Sequence, residues 1–237
     1  MLAGPAFHDI RALAFDLDNT LWAVEPVIAR AEQRLLEWLR VRWPRIPERF
    51  SLEAMRAARH TVARERPDQA HDFTFLRIEA MSRHARACGY HGTVAEQAFE
   101  IFFAARNELE TFPDVKPALA RLQGRYVLAT LSNGNADLER IGLAAHFTVS
   151  LNARGIGAAK PDRRVFDALV ATLGLAAREV AYVGDDPFLD GEGARGAGMR
   201  AIWMNRVGAS WPTPLAPPLF AVRDCTELAD ALLASGP

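Results

Sequence analysis

The sequence of 237 residues is poor in cysteine, has almost no net charge and contains no long apolar run. Its two cysteines, Cys88 and Cys225, have no C-x-x-C or histidine-rich neighbourhood, which argues against a structural zinc site and indicates reduced thiols. A formal net charge of -1 provides no overall field for nucleic acid or an anionic membrane. No apolar run reaches membrane-spanning length, and the first residues lack the basic and apolar regions of a signal peptide. We therefore expect a cytoplasmic protein that acts on neither nucleic acid nor a membrane.

Hydrophobic periodicity divides the chain into a helical part and a part in which helices and strands alternate. After a first strand that ends before Asp16, the pattern is that of four amphipathic helices, with Ser51, Asp72 and a Thr93–Glu96 capping box as predicted helix starts. From Asp114 onward, helices and strands alternate, which implies parallel strands with right-handed crossovers. The predicted fold is α/β, a doubly wound parallel sheet formed by residues 1–21 and 114–237, with residues 22–113 inserted as a helical subdomain.

Polar residues follow several of the predicted strands. The carboxyl ends of parallel strands lie along one edge of a sheet, so segments distant in sequence can form one site there. Clustered carboxylates repel each other unless a cation is present, and their hard oxygen atoms favour a divalent ion such as Mg²⁺. Lysine adds a positive charge, and hydroxyl groups donate hydrogen bonds, so the set predicts a pocket for a phosphoryl group. The residues concerned are Asp16, Asp18, Thr20, Ser132, Asn133, Lys160, Asp185, Asp186 and Asp190.

The charges of these residues suggest a mechanism. A phosphate monoester is dianionic and repels a carboxylate, so attack by an aspartate requires cations on the transferring oxygens, which Mg²⁺ and Lys160 would supply. Asp16 would be the nucleophile and would form an aspartyl-phosphate. Asp18 would protonate the leaving oxygen and later deprotonate the water that hydrolyses the intermediate.

The sequence also resembles the haloacid dehalogenase superfamily of aspartate-nucleophile hydrolases. The resemblance implies a Rossmann-like core with an α-helical cap of the family's first type inserted between the first and second motifs. Four motifs carry it, in the family's order and spacing: Asp16-Leu-Asp18-Asn-Thr20, Ser132-Asn133-Gly134, Lys160-Pro161-Asp162, and Gly184-Asp185 followed by Asp190.

The same resemblance implies roles for individual residues. Mg²⁺ would be bound by Asp16, by Asp185 and by the backbone carbonyl of Asp18. The substrate phosphate would be held by Ser132, Asn133 and Lys160. Residues expected to support this site are Thr20, Asp190, which would orient or assist the metal shell, and Asp186, which is the alternative to Asp190 as a ligand.

The first motif separates the branches of the superfamily. Its dehalogenases resemble D-x-Y-G-T and lack the second aspartate, whereas this sequence has Asp18. Release of a halide needs no proton donor, but release of an alkoxide does. A phosphonatase would need a lysine in the cap, and the first lysine of the sequence is Lys116. We therefore expect a magnesium-dependent phosphatase of a small phosphorylated metabolite.

Two alternatives stay open, a 2-haloacid dehalogenase-type hydrolase and a non-catalytic phosphate-binding or regulatory module. The intact set Asp16, Asp18, Lys160 and Asp185 argues against the module. The identity of the substrate and the choice between monomer and homodimer are not fixed by the sequence. A further motif, G-x-G-x-x-G at residues 191–196, does not follow a strand directly, so we interpret it as close helix packing rather than as a dinucleotide site.

Overall fold

The structure is a computed structural model that describes residues 7–234. The described chain forms two compact units. Residues 7–23, 110–134 and 141–234 form an α/β unit, and residues 24–109 with 135–140 form a helical unit. The predicted fold class, a doubly wound parallel sheet with an inserted helical cap, is confirmed.

The α/β unit contains a six-stranded parallel sheet with the strand order β3-β2-β1-β4-β5-β6. Strands β1 and β4 are buried at every residue and, apart from the hydroxyl of Tyr182, apolar, as expected for central strands covered on both faces. The chain turns from one side of β1 to the other between β3 and β4, so the crevice for a ligand lies at the carboxyl ends of β1 and its neighbours. The strands are β1 (Ala12–Phe15), β2 (Val127–Ser132), β3 (Val149–Asn152), β4 (Val180–Gly184), β5 (Arg200–Met204) and β6 (Phe220–Val222).

Helices cover the faces of this sheet. The clearest example is α9 (Arg163–Leu173), whose apolar side packs Val165, Phe166 and Leu169 into the core against residues of β1, β2 and β4. This packing fixes the loop before α9, which carries Lys160. The other helices of the unit are α6 (Val115–Leu122), α8 (Ala153–Ile156), α10 (Gly193–Gly196) and α11 (Cys225–Ala234), with 3-10 turns at Ala144–His146 and Ala177–Glu179 and a π-helical turn at Pro187–Glu192.

The helical unit has its own apolar core, which includes Leu39, Ile46 and Phe102. Its helices are α1 (Val24–Arg42), α2 (Arg45–Arg49), α3 (Leu52–Glu65), α4 (Phe73–Ala87) and α5 (Val94–Arg106), with a 3-10 turn at Pro67–Gln69. The short helix α7 (Leu138–Ile141) runs across the boundary between the two units. Among the helices of residues 7–234, none is both long and apolar enough to cross a membrane.

All three predicted helix starts are confirmed, but only two of the three side chains form the predicted cap. Ser51 Oγ accepts a hydrogen bond from Ala54 N, and Asp72 accepts one from Phe75 N. The Thr93 capping box is wrong, because the backbone of Thr93 (φ -86, ψ 23) is not extended and its side chain makes no cap hydrogen bond.

Candidate active site

Lys160 is the centre of the polar cluster at the carboxyl ends of β1 and β4. Its side chain is only 3% exposed. Nζ donates to Asp16 Oδ1 at 2.7 Å, to Asp190 Oδ1 at 2.6 Å and to Tyr182 Oη at 2.9 Å. These three bonds use all three protons of the ammonium group, so its position is fully determined. Burial by itself lowers the pKa of Lys160, but Asp16 and Asp190 outweigh it and hold the pKa well above its usual value.

Asp16 is the first residue after β1, and the sheet holds its backbone. Its N–H donates to Val183 O at 2.8 Å, so the pairing of β1 with β4 continues up to the carboxylate. Burial raises the pKa of Asp16 to about 7, with Asp190 and Asp18 adding to the rise and Lys160 opposing it. The same carboxylate is therefore desolvated and paired with one fixed cation.

The loop after β1 turns back on itself through Asn19, whose φ of 60° is a left-handed conformation that asparagine tolerates. Asn19 N donates to Trp22 O at 2.7 Å, and Trp22 Nε1 donates to Asp18 Oδ1 at 2.7 Å. The indole of Trp22 is fully buried. The loop thus fixes one oxygen of Asp18, two residues after Asp16.

Asp185 and Asp190 follow β4. The hydroxyl of Thr20 donates to Asp185 Oδ1 at 3.4 Å, which links the β1 and β4 loops. Burial raises the pKa of Asp185 to about 6, and the charge of Asp190 adds to the rise. Asp190 accepts from Lys160 on one oxygen and from Asp186 N at 3.0 Å on the other. Its carboxylate is therefore already hydrogen-bonded on both sides.

Asp186 lies on the same loop but its carboxylate has a structural contact. It accepts from the N–H groups of Phe188 and Leu189, both at 2.8 Å, and so caps the π-helical turn that begins at Pro187. This cap brings Asp190 back over the end of β4. The approach is so close that a Cβ on Gly184 would lie 2.2 Å from Asp190 Oδ2, which explains the glycine at that position.

The second motif holds the lysine loop through its main chain. Asn133 Oδ1 accepts from Lys160 N at 2.7 Å, and Asn133 Nδ2 donates to Lys160 O at 3.1 Å. Ser132 is 3% exposed, and its Oγ accepts from Gly134 N at 3.0 Å, which leaves the hydroxyl proton for a further acceptor. Asn133 thus positions Lys160, while Ser132 offers a donor at the end of β2.

The carboxylates of Asp16, Asp185 and Asp190 offer oxygens that all lie within 4.8 Å of one another. A set of three acidic groups with raised pKa values at two of them fits a divalent cation, because a cation would relieve their mutual repulsion. Asp16 and Asp185 were predicted ligands, and Asp190 was predicted to support them.

Tyr182 was missed by the sequence analysis. Its ring is fully buried and packs edge-on against Phe166, and its hydroxyl donates to Leu131 O at 2.6 Å while it accepts from Lys160. The available signal was a tyrosine inside the otherwise apolar strand Val180–Gly184, since a buried phenol needs a hydrogen-bond partner.

The G-x-G-x-x-G motif has no strand directly before it, as expected, and two of its glycines are explained by packing. A Cβ on Gly191 would lie 2.8 Å from the Trp211 ring, and one on Gly193 would lie 2.7 Å from the Phe166 ring. These distances support the interpretation of the motif as close packing.

A doubly wound sheet with an inserted helical cap and an aspartate–lysine cluster at its carboxyl edge defines a class of hydrolases. The model of the haloacid dehalogenase-like hydrolase family matches residues 10–198, so the chain belongs to this family and is an enzyme.

Known relatives include phosphatases. The chain is 40% identical over 146 residues to a protein named phosphoserine phosphatase from Thermus thermophilus, and this match spans 58% of either chain. It is 31% identical over 199 residues to the 5-amino-6-(5-phospho-D-ribitylamino)uracil phosphatase YigB of Escherichia coli, covering 82% of this chain and 83% of that one.

A similar solved structure is named for a different reaction. The fold is similar to that of a 2-haloacid dehalogenase from Pseudomonas syringae pv. Tomato DC3000, with a TM-score of 0.90 and 32% identity over 96% of this chain and 100% of that chain. The family is therefore established. Its members cleave different bonds, so the bond that this protein cleaves has to be inferred from the residues of its site.

Proposed function

We propose that this hydrolase is a magnesium-dependent phosphatase that acts on a small phosphorylated metabolite through an aspartyl-phosphate. The observation that carries the proposal is the second carboxylate, Asp18. It lies two residues after Asp16, and a hydrogen bond from Trp22 fixes its position. A halide leaves without a proton, whereas an alkoxide needs one, so a positioned acid beside the nucleophile favours phosphate esters. The two relatives named as phosphatases support the same choice.

The first step transfers the phosphoryl group to Asp16. A carboxylate oxygen of Asp16 bonds to phosphorus, the bond from phosphorus to the ester oxygen breaks, and Asp18 gives its proton to that oxygen. In the second step Asp18, now a carboxylate, takes a proton from water as the water oxygen bonds to phosphorus. The bond from phosphorus to Asp16 breaks, which releases inorganic phosphate and restores both side chains.

The cations of the site decide whether a dianion can approach Asp16. Lys160 supplies one charge, fixed by Asp190 and Tyr182 as well as by the nucleophile. Mg²⁺, when bound by Asp16, Asp185 and the carbonyl of Asp18, would offset the charge of the phosphate oxygens. Ser132 would donate its hydroxyl proton to the same oxygens, and Asn133 would keep the Lys160 loop in place.

The role of Asp18 can be tested with two leaving groups. An alkyl phosphate needs a proton on its leaving oxygen far more than p-nitrophenyl phosphate does. We expect Asp18→Asn to lower the rate of the first step with an alkyl phosphate by about 10²–10⁴-fold, the usual contribution of a general acid. The rate of the first step with p-nitrophenyl phosphate should fall much less. With p-nitrophenyl phosphate, this variant would show a burst of p-nitrophenol followed by slow turnover, since hydrolysis of the intermediate also needs Asp18.

The matched variants are Asp16→Asn, which removes the nucleophile, and Asp167→Asn, which removes an exposed carboxylate on α9 that pairs with Arg163. Phosphate release would be abolished in the first and unchanged in the second. Chelation of divalent ions would stop turnover, and added Mg²⁺ would restore it. Phosphatase activity in Asp16→Asn would contradict the mechanism. So would an equal loss in the rate of the first step with both leaving groups in Asp18→Asn, or the absence of a burst with p-nitrophenyl phosphate.

The likeness to the Pseudomonas syringae structure makes a 2-haloacid dehalogenase activity the second candidate. In that reaction, Asp16 would displace a halide from carbon and Asp18 would have no proton to deliver. Halide release from 2-haloacids, measured beside phosphate release on the same preparation, separates the two. Halide release without phosphate release would favour the dehalogenase, and the absence of both would favour a phosphate-binding or regulatory module.

A further inference from the structure

The helical unit contains a buried carboxylate surrounded by arginines. Glu32 on α1 has a side chain that is only 2% exposed. It accepts from Arg56 Nε at 2.8 Å and also from Arg56 Nη2, and from Arg59 Nη2 at 3.0 Å, while Arg77 Nη1 lies 3.8 Å from Glu32 Oε1. Burial raises the pKa of Glu32, but the three arginines outweigh it and lower the pKa below its usual value. Three positive charges therefore face one negative charge.

Arg77 on α4 is the least well paired of the three. Its side chain is 14% exposed, and its guanidinium lies 3.4 Å from the centre of the Phe102 ring. Nη1 is buried and has no hydrogen-bond partner among the residues that the structure describes. Burial lowers the pKa of Arg77 to about 9, with Arg59 adding to the effect, so the group is still charged at neutral pH. A buried cation with an unused donor is costly unless a further partner is present.

Arg77 and Arg59 both line a small, partly open cleft between α1, α3 and α4. His84 lies on the same wall, is 8% exposed, and its Nε2 also lacks a hydrogen-bond partner within residues 7–234. The other walls are largely apolar, and the enclosed part has room for about one water molecule. The cleft thus combines surplus positive charge and two unused polar groups with very little space.

We propose that this cleft binds a small inorganic anion of halide size, held by Arg77, Arg59 and His84. Arg77 lies 3.8 Å from Glu32, too far for a hydrogen bond, so a single anion would pair with its guanidinium and accept a hydrogen bond from its unused Nη1. Since the enclosed space is that of one water, a halide fits it, while a large organic anion does not. The role of such an ion is to hold α3 and α4 together through their arginines.

Bromide is the direct probe of this site. Crystals of the wild-type protein grown in sodium bromide would show an anomalous peak within hydrogen-bond distance of Arg77 Nη1 and His84 Nε2. This measurement needs no variant and no activity, so it is independent of the proposed phosphatase function. A bromide-soaked structure with no peak in the cleft would overturn the proposal.

Thermal unfolding tests the same site in solution. At equal ionic strength, sodium bromide and sodium gluconate screen exposed ion pairs alike, so a difference between them reports occupation of a site that excludes gluconate. A ligand at ten times its dissociation constant raises the folding equilibrium constant about 11-fold, which corresponds to a rise in melting temperature of roughly 3–6 °C for a chain of this size. The rise would saturate with bromide concentration.

The matched variants are Arg77→Gln and Arg83→Gln. Arg83 lies on the same helix but is 36% exposed and pairs with Glu79 and Glu65, away from the cleft. We expect the bromide-dependent rise in Arg83→Gln and its loss in Arg77→Gln. An equal rise in both variants would overturn the proposal, and if Arg77→Gln does not fold, the wild-type bromide peak and saturation decide.

Discussion

The hydroxyl of Tyr182 is the least expected part of the site, and its removal gives a quantitative test of the Lys160 network. The substitution Tyr182→Phe keeps the ring and its edge-on contact with Phe166, so no cavity larger than one oxygen atom is created. Two hydrogen bonds are lost, one donated to Leu131 O at 2.6 Å and one accepted from Lys160 Nζ at 2.9 Å. Both partners are then left buried with an unused group.

The size of the effect follows from the charge of one partner. A neutral hydrogen bond contributes about 0.5–1.5 kcal/mol and one to a charged group about 1.5–3 kcal/mol, so the substitution is expected to reduce the free energy of unfolding by roughly 2–4.5 kcal/mol. The matched control is Tyr126→Phe. Tyr126 is also buried, but its hydroxyl makes one hydrogen bond, to Leu232 O at 3.3 Å, so we expect a loss of about 0.5–1.5 kcal/mol there.

Urea denaturation at pH 7 measures the free energy of unfolding of both variants. The slope of this free energy against urea concentration should be the same in the variants as in the wild-type protein. Kinetics separate the two variants further, because Tyr182→Phe removes one of the three groups that hold Lys160 Nζ, and we expect kcat to fall while Tyr126→Phe keeps wild-type kinetics. A loss of stability in Tyr182→Phe no larger than that in Tyr126→Phe would refute the claim that Lys160 depends on this hydroxyl.

Two further substitutions test other parts of the structure. Gly184→Ala would place a Cβ 2.2 Å from Asp190 Oδ2, so we expect overpacking to lower the free energy of unfolding by about 1–3 kcal/mol and to remove most of the activity. Its control, Gly196→Ala, adds a Cβ with no described heavy atom within 4 Å and should leave the free energy of unfolding unchanged or slightly higher in the same urea denaturation. Asp114 accepts from Arg206 at 2.8 Å, which lowers the pKa of Asp114 against the opposing effect of burial. A carboxyl group whose pKa is lower in the folded than in the unfolded protein stabilises the fold at pH values above its unfolded pKa. The free energy of unfolding of the wild-type protein should therefore exceed that of Asp114→Asn, and this difference should shrink as the pH falls below about 4. A difference that does not depend on pH would contradict the assignment.

Much of the fold could be predicted from the sequence because it depends on patterns that are local. The apolar strand before Asp16 and the alternation of helices and strands after Asp114 identify the parallel sheet, and hydrophobic periodicity identifies the helical cap. Helix ends depend on the backbone angles of single residues, which is why Ser51 was predicted correctly as a cap and Thr93 was not. Asp186, predicted as an alternative metal ligand, instead caps the π-helical turn that begins at Pro187, and no pattern in the sequence indicated this turn.

The division of tasks among the aspartates shows why the site is harder to predict than the fold. Spacing brings the acidic residues to one edge of the sheet, but the task of each carboxylate depends on which donors its oxygens meet. The oxygens of Asp190 already accept from Lys160 and from the chain, so this residue holds the lysine. Asp185 accepts a long 3.4 Å bond from Thr20, and burial raises its pKa to about 6, so it has the most to gain from a cation. Of the carboxylates after β4, Asp185 is therefore the one we expect to bind Mg²⁺, with Asp190 determining where Lys160 lies beside the nucleophile.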